Sequence, residues 1–275
     1  MNPVTKRISK GLAAWRRAGA RVDFLRKNNI SVPRIWLGAN TGKTILIQSG
    51  LHLEETSGPL LLLDPSALLP TVRSALKRDI SFLIYPVVNN FGLRHDPSGP
   101  DKLLRYNEKG INYNDGWGLS DDKKCLEVKL VEEDILKFLG TNKVILAVSL
   151  HEDSTTPQKG YLWFNGIKST KVRKEIRARL KSKILKSGLL KIDRQILLTI
   201  RESKVDGGRV EGGFTVVDAK DKGALEHWLG EDLKIPTVLS EAPFGLRLRT
   251  RKSFHSKVID SAISTVLANF FNSRF

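Results

Sequence analysis

The stretch LGANTGKTILIQSGLHLEE, residues 37–55, places a glycine-containing turn, an apolar run and a His-x-x-Glu pair in direct succession. Its first part is similar to a phosphate-binding loop, but that motif needs four residues between its glycines and a helix after its lysine. Here three residues separate Gly38 from Gly42, and the β-rich run TILIQSG follows Lys43. The stretch therefore predicts a hairpin turn, NTG, that joins the strands RIWLGA and KTILIQSG, rather than a nucleotide site.

Outward from this stretch, strand and helix patterns alternate along the chain. The runs ISFLIYPVV, KVILAVSL, QILLTI and IPTVLS are predicted as buried strands, and residues 5–28, 60–76 and 253–271 as helices. Continuous apolar strands that alternate with helices are typical of a sheet that is covered on both faces. We therefore predict a single three-layer α/β/α domain with a central mixed sheet over residues 31–275, and a helical extension over residues 1–30 that packs on it.

Side chains that can bind metal or move protons directly follow three of these predicted strands. His52 and Glu55 are spaced i, i+3 after the predicted strand KTILIQSG, and His151 follows KVILAVSL. Such a pair is a weak signal alone, but with a distant histidine it matches a zinc-ligand set that leaves a fourth position for water. Glu241 follows IPTVLS, where it is either a salt-bridge partner of a nearby arginine or the general base beside that water.

The composition limits the class of protein. The chain has 275 residues, a formal net charge of +17 and one cysteine, Cys125. One cysteine excludes an internal disulfide and favours a reducing, cytoplasmic compartment. The basic N-terminus lacks the apolar region of a signal peptide, and the longest apolar run, PLLLLDPSALLP, is too short to cross a membrane.

The positive charge concentrates between Lys168 and Lys204, where there are 13 Lys or Arg residues and three acidic residues. Apolar residues recur every four positions within this run: Val172, Ile176, Leu180 and Ile184. This period favours the solvated face of a surface helix that packs on a core. The alternative is a surface for nucleic acid or another anionic partner. No nucleic-acid-binding motif or interleaved aromatic residue accompanies the run.

Four motifs occur in the order, and with the flanking strands, of the zinc carboxypeptidase superfamily: SGLHLEE, NNFGLRHD…LLRYNEKGINYND, SLHEDS and TVLSEAP. Over residues 35–270 the chain resembles this superfamily, which includes aspartoacylase and succinylglutamate desuccinylase. No single motif is specific, whereas the ordered set of four is more so. The resemblance implies the phosphorylase/hydrolase-like α/β fold of the zinc carboxypeptidases.

The resemblance also implies roles for individual residues. His52, Glu55 and His151 correspond to the three zinc ligands of the superfamily. Glu241 corresponds to the general base and acid, which takes a proton from the zinc-activated water and passes it to the leaving amine. Arg105 corresponds to the arginine that stabilises the oxyanion of the tetrahedral intermediate.

Substrate recognition departs from the superfamily pattern. Asn114 corresponds to the asparagine that contacts the substrate carboxylate, but Asp115 stands where the family has an arginine. A carboxylate does not bind a carboxylate at neutral pH without an energetic cost. Three interpretations stay open: Asp115 faces a substrate amine, carboxylate binding moves to another arginine, or Asp115 contacts a second metal ion with Asp153. The candidate arginines are Arg94, Arg247, Arg249 and Arg251.

The sequence therefore predicts a zinc-dependent metallopeptidase, similar to metallocarboxypeptidases, that hydrolyses an amide bond in a small peptide. A deacylase of N-acyl amino acids, similar to aspartoacylase, would use the same zinc set and is the alternative within the enzyme class. The alternative of another class is a basic nucleic-acid-binding or scaffold protein that uses the run between Lys168 and Lys204. No clear counterpart is found for the tyrosine that closes over substrate in digestive carboxypeptidases, since the region before Glu241 offers only Phe214 and Trp228.

Overall fold

The structure is a computed structural model that describes residues 3–39, 42–89, 105–107, 109–153, 160–186, 208–211, 214–217 and 222–272. The strands in these ranges are β1 (Arg21–Lys27), β2 (Ile30–Leu37), β3 (Lys43–Ser49), β4 (Ile80–Tyr85), β5 (Lys143–Asp153), β6 (Tyr161–Asn165), β7 (Gly208–Glu211), β8 (Phe214–Val217) and β9 (Thr237–Pro243). The helices are α1 (Pro3–Arg17), α2 (Ser57–Leu62), α3 (Pro65–Leu76), α4 (Leu126–Leu139), α5 (Thr170–Lys186), α6 (Leu225–His227) and α7 (Leu248–Asn272). A π-helical turn, Trp228–Asp232, continues α6.

Seven strands form one mixed sheet in the order β1-β2-β4-β3-β5-β9-β6. The central strands β4, β3, β5 and β9 run parallel to one another, whereas β1, β2 and β6 pair antiparallel at the two sides. Strands β7 and β8 pair separately. Because β3, β5 and β9 are parallel, the segments that follow them meet at one edge of the sheet, where sites of open α/β sheets gather.

Helices cover both faces of this sheet, as the sequence predicted. Ile45 and Ile47 of β3 point into a core that also takes apolar side chains from α1, α2, α3, α5 and α7. Leu46 points to the opposite face, into a second core with Val128 and Val131 of α4. This alternation follows from the two-residue period of a strand. The predicted three-layer α/β/α architecture with a mixed sheet is confirmed.

The N-terminal segment differs from its prediction. Helix α1 ends at Arg17, and residues 21–27 form the edge strand β1, whereas a helical extension was predicted over residues 1–30. Helix α1 packs firmly against the rest of the fold, because Trp15 is fully buried in the first core and its indole N–H donates to the Leu62 carbonyl at 2.7 Å. The division of the chain at residue 30 stays a prediction.

The predicted hairpin between RIWLGA and KTILIQSG is wrong. Strands β2 and β3 do not pair, since β4 lies between them, antiparallel to β2 and parallel to β3. All six residues of β4, ISFLIY, are buried, so this strand takes a central position in the sheet. The rejected phosphate loop stays rejected, because Lys43 begins a strand and not a helix. The predicted strand QILLTI lies outside the described residues.

The basic run forms the surface helix that its period predicted. In α5, Ile176, Leu180 and Ile184 are buried in the first core, and Val172 packs against it. Lysines that include Lys171 are exposed on the opposite side. The interpretation as a solvated helix face is confirmed for residues 170–186, and the rest of the run lies outside the described ranges. Among the helices that the structure describes, none is long and apolar enough to span a membrane.

Candidate metal centre

His52 and Glu55 lie in the turn that follows β3. The chain leaves the strand at Gly50, whose φ of 66° is in the left-handed region that favours glycine. A Cβ at this position would lie 3.0 Å from the Val87 Cα, so the close approach of the two segments also requires glycine. The turn brings the His52 Nδ1 to 2.6 Å from Glu55 Oε1, with both residues buried.

His151 reaches the same point from β5. Strands β3 and β5 are parallel neighbours, and Ser49, the last residue of β3, pairs with Leu150. His151, the next residue of β5, therefore lies level with the first residue after β3. Its Nδ1 lies 2.9 Å from Glu55 Oε2. The potential ligand atoms of His52, Glu55 and His151 all lie within 4.8 Å of one another. Within the part of the chain that the structure describes, no other group of three His, Cys, Asp or Glu residues could hold a metal ion.

Asn112 fixes the orientation of the His52 ring from outside. Its Oδ1 accepts the backbone N–H of Asn114 at 2.9 Å, which identifies this atom as the amide oxygen. The same oxygen lies 2.8 Å from His52 Nε2. An oxygen acceptor requires a proton on Nε2, so the neutral imidazole carries its lone pair on Nδ1, directed at Glu55.

Glu226, in the short helix α6, has the corresponding position behind His151. Its Oε1 lies 3.3 Å from His151 Nε2, and Glu226 is 4% exposed. A carboxylate behind Nε2 favours the proton on that nitrogen and leaves the Nδ1 lone pair directed at Glu55. Both histidines therefore present Nδ1 to the centre and Nε2 to an outer oxygen, which is the usual arrangement around metal-binding histidines.

This arrangement of donors needs a positive charge at its centre. Two nitrogen lone pairs and a buried carboxylate repel one another unless a proton or a metal ion lies among them. Burial raises the pKa of Glu55, but the charges of His151 and His52 and their hydrogen bonds outweigh it and hold this pKa below its usual range. Burial lowers the pKa of His151, yet Glu55 and Glu226 raise it well above the ordinary value. A divalent metal ion fits the same donor set and would displace the proton.

Glu241 lies on β9 directly beside His151, with which it pairs in the parallel register. Its Oε2 is buried and has no hydrogen-bond partner among the described residues. Burial, together with the negative charges of Glu55, Asp153 and Glu226, raises the pKa of Glu241 well above its ordinary value despite the opposing charge of His151. A buried carboxyl with a raised pKa is the kind of group that serves as a general base and acid.

Tyr161 continues this row of side chains across the sheet. It pairs with Glu241 in the antiparallel register of β6 and β9. Its hydroxyl donates to Asp153 Oδ2 at 3.0 Å, and burial raises the pKa of this hydroxyl. One oxygen of Asp153 is therefore engaged by Tyr161, and no described group of three metal-binding side chains contains Asp153 or Asp115.

Arg105 contacts the candidate metal centre through Glu55. Its Nε lies 2.8 Å from Glu54 Oε1, and one terminal nitrogen lies 3.1 Å from Glu55 Oε1. Its side chain is 35% exposed, so it forms part of the wall between the centre and solvent. The structure thus places this cation within one contact of a candidate metal ligand.

The residues predicted to bind substrate are less closely associated. Asn114 accepts the backbone N–H of Leu225 at 3.4 Å, which ties its loop to the start of α6. Asp115 is exposed at the surface of the same loop. Arg94 lies outside the described residues. Trp228 is buried and stacks at 5.6 Å on Trp117, so it belongs to the second core rather than to a lid.

The alternative arginines after β9 divide into two kinds. Arg247 and Arg249 are exposed. Arg251 donates to the fully buried carboxylate of Glu152 and lies 5.2 Å from the centroid of the Phe244 ring. The other oxygen of Glu152 accepts the Ser57 backbone N–H at 2.5 Å. Arg251 therefore balances a buried charge that joins α7, β5 and α2.

No protein-family model matches the chain, and no curated protein sequence does. Solved structures do match. A proposed metallopeptidase from Shewanella amazonensis SB2B superposes with a TM-score of 0.69 and 18% identity over 95% of this chain and 93% of that chain. A second, from Shewanella denitrificans OS217, gives 0.68 and 19% over 94% and 88%. A metallo-carboxypeptidase from Burkholderia cenocepacia gives 0.67 and 16% over 96% and 69%.

These likenesses establish that the chain has the fold of the metallo-carboxypeptidases. The match extends over nearly the whole chain in each case, so the resemblance to the zinc carboxypeptidase superfamily is confirmed at the level of the fold. A shared fold hosts many functions, so the activity has to be argued from the site itself.

Proposed function

We propose that this protein is a zinc-dependent hydrolase, similar to metallo-carboxypeptidases, that cleaves an amide bond in a small peptide. The observation that carries the proposal is the set of His52, Glu55 and His151, buried together with both Nδ1 atoms directed at one carboxylate. Two histidines and one glutamate are a donor set typical of catalytic zinc, which keeps its remaining position for water. The single cysteine, Cys125, is buried, which is compatible with a cytoplasmic protein.

When bound, a zinc ion lowers the pKa of a coordinated water to about 7 and polarises a carbonyl oxygen. The residues of the chain supply the rest. Glu241 would accept a proton from the attacking water on its buried carboxylate and deliver it to the leaving nitrogen. Arg105 would offset the negative charge that develops on the substrate oxygen, because a fixed cation needs little rearrangement to do so.

Recognition of the substrate would differ from that of a typical carboxypeptidase, since Asp115 replaces the usual arginine. Arg251 is already engaged by Glu152, which counts against it as the arginine that binds a substrate carboxylate. Among the described candidates, Arg247 and Arg249 are exposed and have no such buried partner. We propose that Asp115 disfavours a substrate carboxylate at its own position, so that the protein prefers substrates with an amine, an amide or a different carboxylate geometry there.

A substrate panel tests this proposal. The zinc-loaded protein would be assayed with short peptides, with amidated peptides and with N-acyl amino acids, alongside Glu241→Gln. We expect hydrolysis of at least one amide class, and a kcat about 10²–10⁴-fold lower in the variant at unchanged zinc content, because the variant lacks the proton acceptor. Preference for N-acyl amino acids would indicate the deacylase alternative.

The opposite outcome is also defined. If the zinc-loaded protein hydrolyses none of these substrates, while it binds nucleic acid with an affinity that falls steeply with salt and survives His52→Ala, the proposal is wrong. The exposed lysines of α5 would then be the surface of interest.

A further inference from the structure

Glu226 is a buried carboxylate to which the proposed chemistry gives no task. It is 4% exposed and sits in α6, a helix of three residues between the loop at Gly223 and a π-helical turn. Its Oε1 accepts the hydroxyl of Ser149 at 2.5 Å and lies 3.3 Å from His151 Nε2. Ser149 in turn accepts a hydrogen bond from the side-chain amide of Gln48.

The sheet register places these groups in line. Gln48 of β3 and Ser149 of β5 are paired residues, so their side chains lie side by side on one face. His151 is two residues beyond Ser149 and therefore points to the same face. Gln48, Ser149 and His151 thus lie on the face of the sheet that packs against the second core, close to the carboxyl ends of β3 and β5. Glu226 contacts Ser149 and His151 of this row.

Separate contacts hold the Glu226 segment in place. Asn114 accepts the N–H of Leu225, and Trp117 donates its backbone N–H to the Gly223 carbonyl at 2.8 Å. Leu225 is buried in the second core. The loop that carries Asn112 behind His52 therefore also anchors the segment that carries the carboxylate behind His151.

The charge of Glu226 is matched to His151. An ionised carboxylate is costly to bury unless a cation or several donors face it. Among the ion pairs that the described residues form, the partner of Glu226 is His151. An acidic side chain thus lies behind one candidate metal ligand, whereas the neutral amide of Asn112 lies behind the other.

We propose that Glu226 is the positioning residue of the metal centre: its carboxylate lies against His151 Nε2 at ion-pair distance, favours the proton on that nitrogen and so keeps Nδ1 directed at the metal. Glu226 is itself held by the Ser149 hydroxyl, which Gln48 in turn contacts. This inference rests on the proposed metal site, and it adds a residue that binds neither metal nor substrate. Outer-shell carboxylates of this kind fix the tautomer of a ligand histidine and increase its basicity.

Zinc affinity of the full-length protein tests the inference directly. The dissociation constant would be measured by competition with a chromogenic chelator for wild type, Glu226→Gln and Glu226→Ala. Glu226→Gln keeps the size and an acceptor oxygen but loses the charge, whereas Glu226→Ala loses both. We expect weaker zinc binding by about 10–100-fold in Glu226→Ala and a smaller loss in Glu226→Gln, because outer-shell partners contribute on this scale.

Glu127→Gln is the matched control. Glu127 is 2% exposed and accepts the Tyr113 hydroxyl at 3.1 Å, so it is a buried, hydrogen-bonded glutamate outside the group of His52, Glu55 and His151. We expect this variant to unfold at a lower temperature than wild type and to keep wild-type zinc affinity. The visible spectrum of the Co²⁺-substituted proteins gives a second readout, and we expect it to change in the Glu226 variants and to stay unchanged in Glu127→Gln.

The outcomes separate the two proposals. If wild type binds zinc tightly and Glu226→Gln and Glu226→Ala bind it equally well, with an unchanged Co²⁺ spectrum, the positioning role is overturned and the metal centre stands. An equal loss of affinity in Glu127→Gln would also overturn it, since the effect would then be general destabilisation. If wild type binds neither ion, the metal centre and the positioning role fall together. Should Glu226→Ala not fold, the near-isosteric Glu226→Gln still decides.

Discussion

His255 is predicted to make the folded protein sensitive to acid. It lies in α7, fully buried, with Nδ1 2.8 Å from the Ser240 hydroxyl. Burial, with the nearby charges of His151 and Arg251 and against that of Glu55, lowers the pKa of His255 from 6.5 to about 3. The imidazole therefore stays neutral in the folded protein over a pH range in which it is protonated in the unfolded chain.

The sign and size of this effect on folding stability follow from the difference in protons bound at His255 between the unfolded and the folded chain. Between about pH 6.5 and pH 3 the unfolded chain binds one proton more at His255 than the folded chain, so folding stability falls as the pH falls. Each pH unit contributes about 1.4 kcal/mol, so this one group removes up to about 5 kcal/mol over the full range. That is comparable to the whole stability of many domains.

The perturbation is His255→Gln, which keeps a polar group opposite Ser240 and removes the titration. Urea unfolding at pH 7, 6, 5 and 4 in the presence of a chelator would give the free energy of unfolding for both proteins. We expect the free energy of unfolding to fall less steeply with falling pH in the variant than in wild type. The difference in slope corresponds to up to one bound proton. Any constant offset reports packing and is not part of the test. Equal slopes for variant and wild type would refute the reasoning, because His255 would then titrate alike in both states.

Two further substitutions distinguish catalytic from structural cations. Arg105→Ala is expected to lower kcat by about 10²–10³-fold with zinc content unchanged, as for the loss of one oxyanion donor; an unchanged kcat in a steady-state assay would exclude that role. Arg251→Ala leaves the buried Glu152 carboxylate without its cation and is expected to lower the free energy of unfolding by about 3–5 kcal/mol. An unchanged stability together with a raised KM would instead indicate that Arg251 binds substrate.

The layers of the fold could be predicted from the sequence because apolar runs such as KVILAVSL are short, continuous and contain several β-branched residues, which favours strands of a sheet that is covered on both faces. The pairing of strands could not. The turn at Gly42 has the composition of a hairpin, yet β4 enters between β2 and β3 from far along the chain. The residues RVDFLRK were predicted as helix but form an edge strand, since pairing with β2 overrides local preference.

The candidate ligands could be predicted for a related reason. His52 and Glu55 follow β3, and His151, predicted to follow its strand, lies near the carboxyl end of β5. Because parallel strands end together, the sequence order indicates that these residues lie close to one another. Asn112 and Glu226 were missed. Glu226 belongs to a helix of three residues, and its closeness to His151 depends on how that helix packs over β5. No periodicity signals such a contact. Asn112 had only a weak signal in the sequence, as an amide side chain two residues before the predicted Asn114.

Metal content tests the central claim most directly. Protein purified without added metal and then equilibrated with zinc and desalted would be analysed by inductively coupled plasma mass spectrometry, for wild type, His52→Ala, Glu55→Ala and Glu241→Gln. The account predicts about one zinc ion per chain in wild type, since three ligands converge on one point. It predicts loss of zinc in His52→Ala and Glu55→Ala and retention in Glu241→Gln. A wild-type chain that retains no divalent metal, or that keeps zinc equally well without His52 and Glu55, would contradict it.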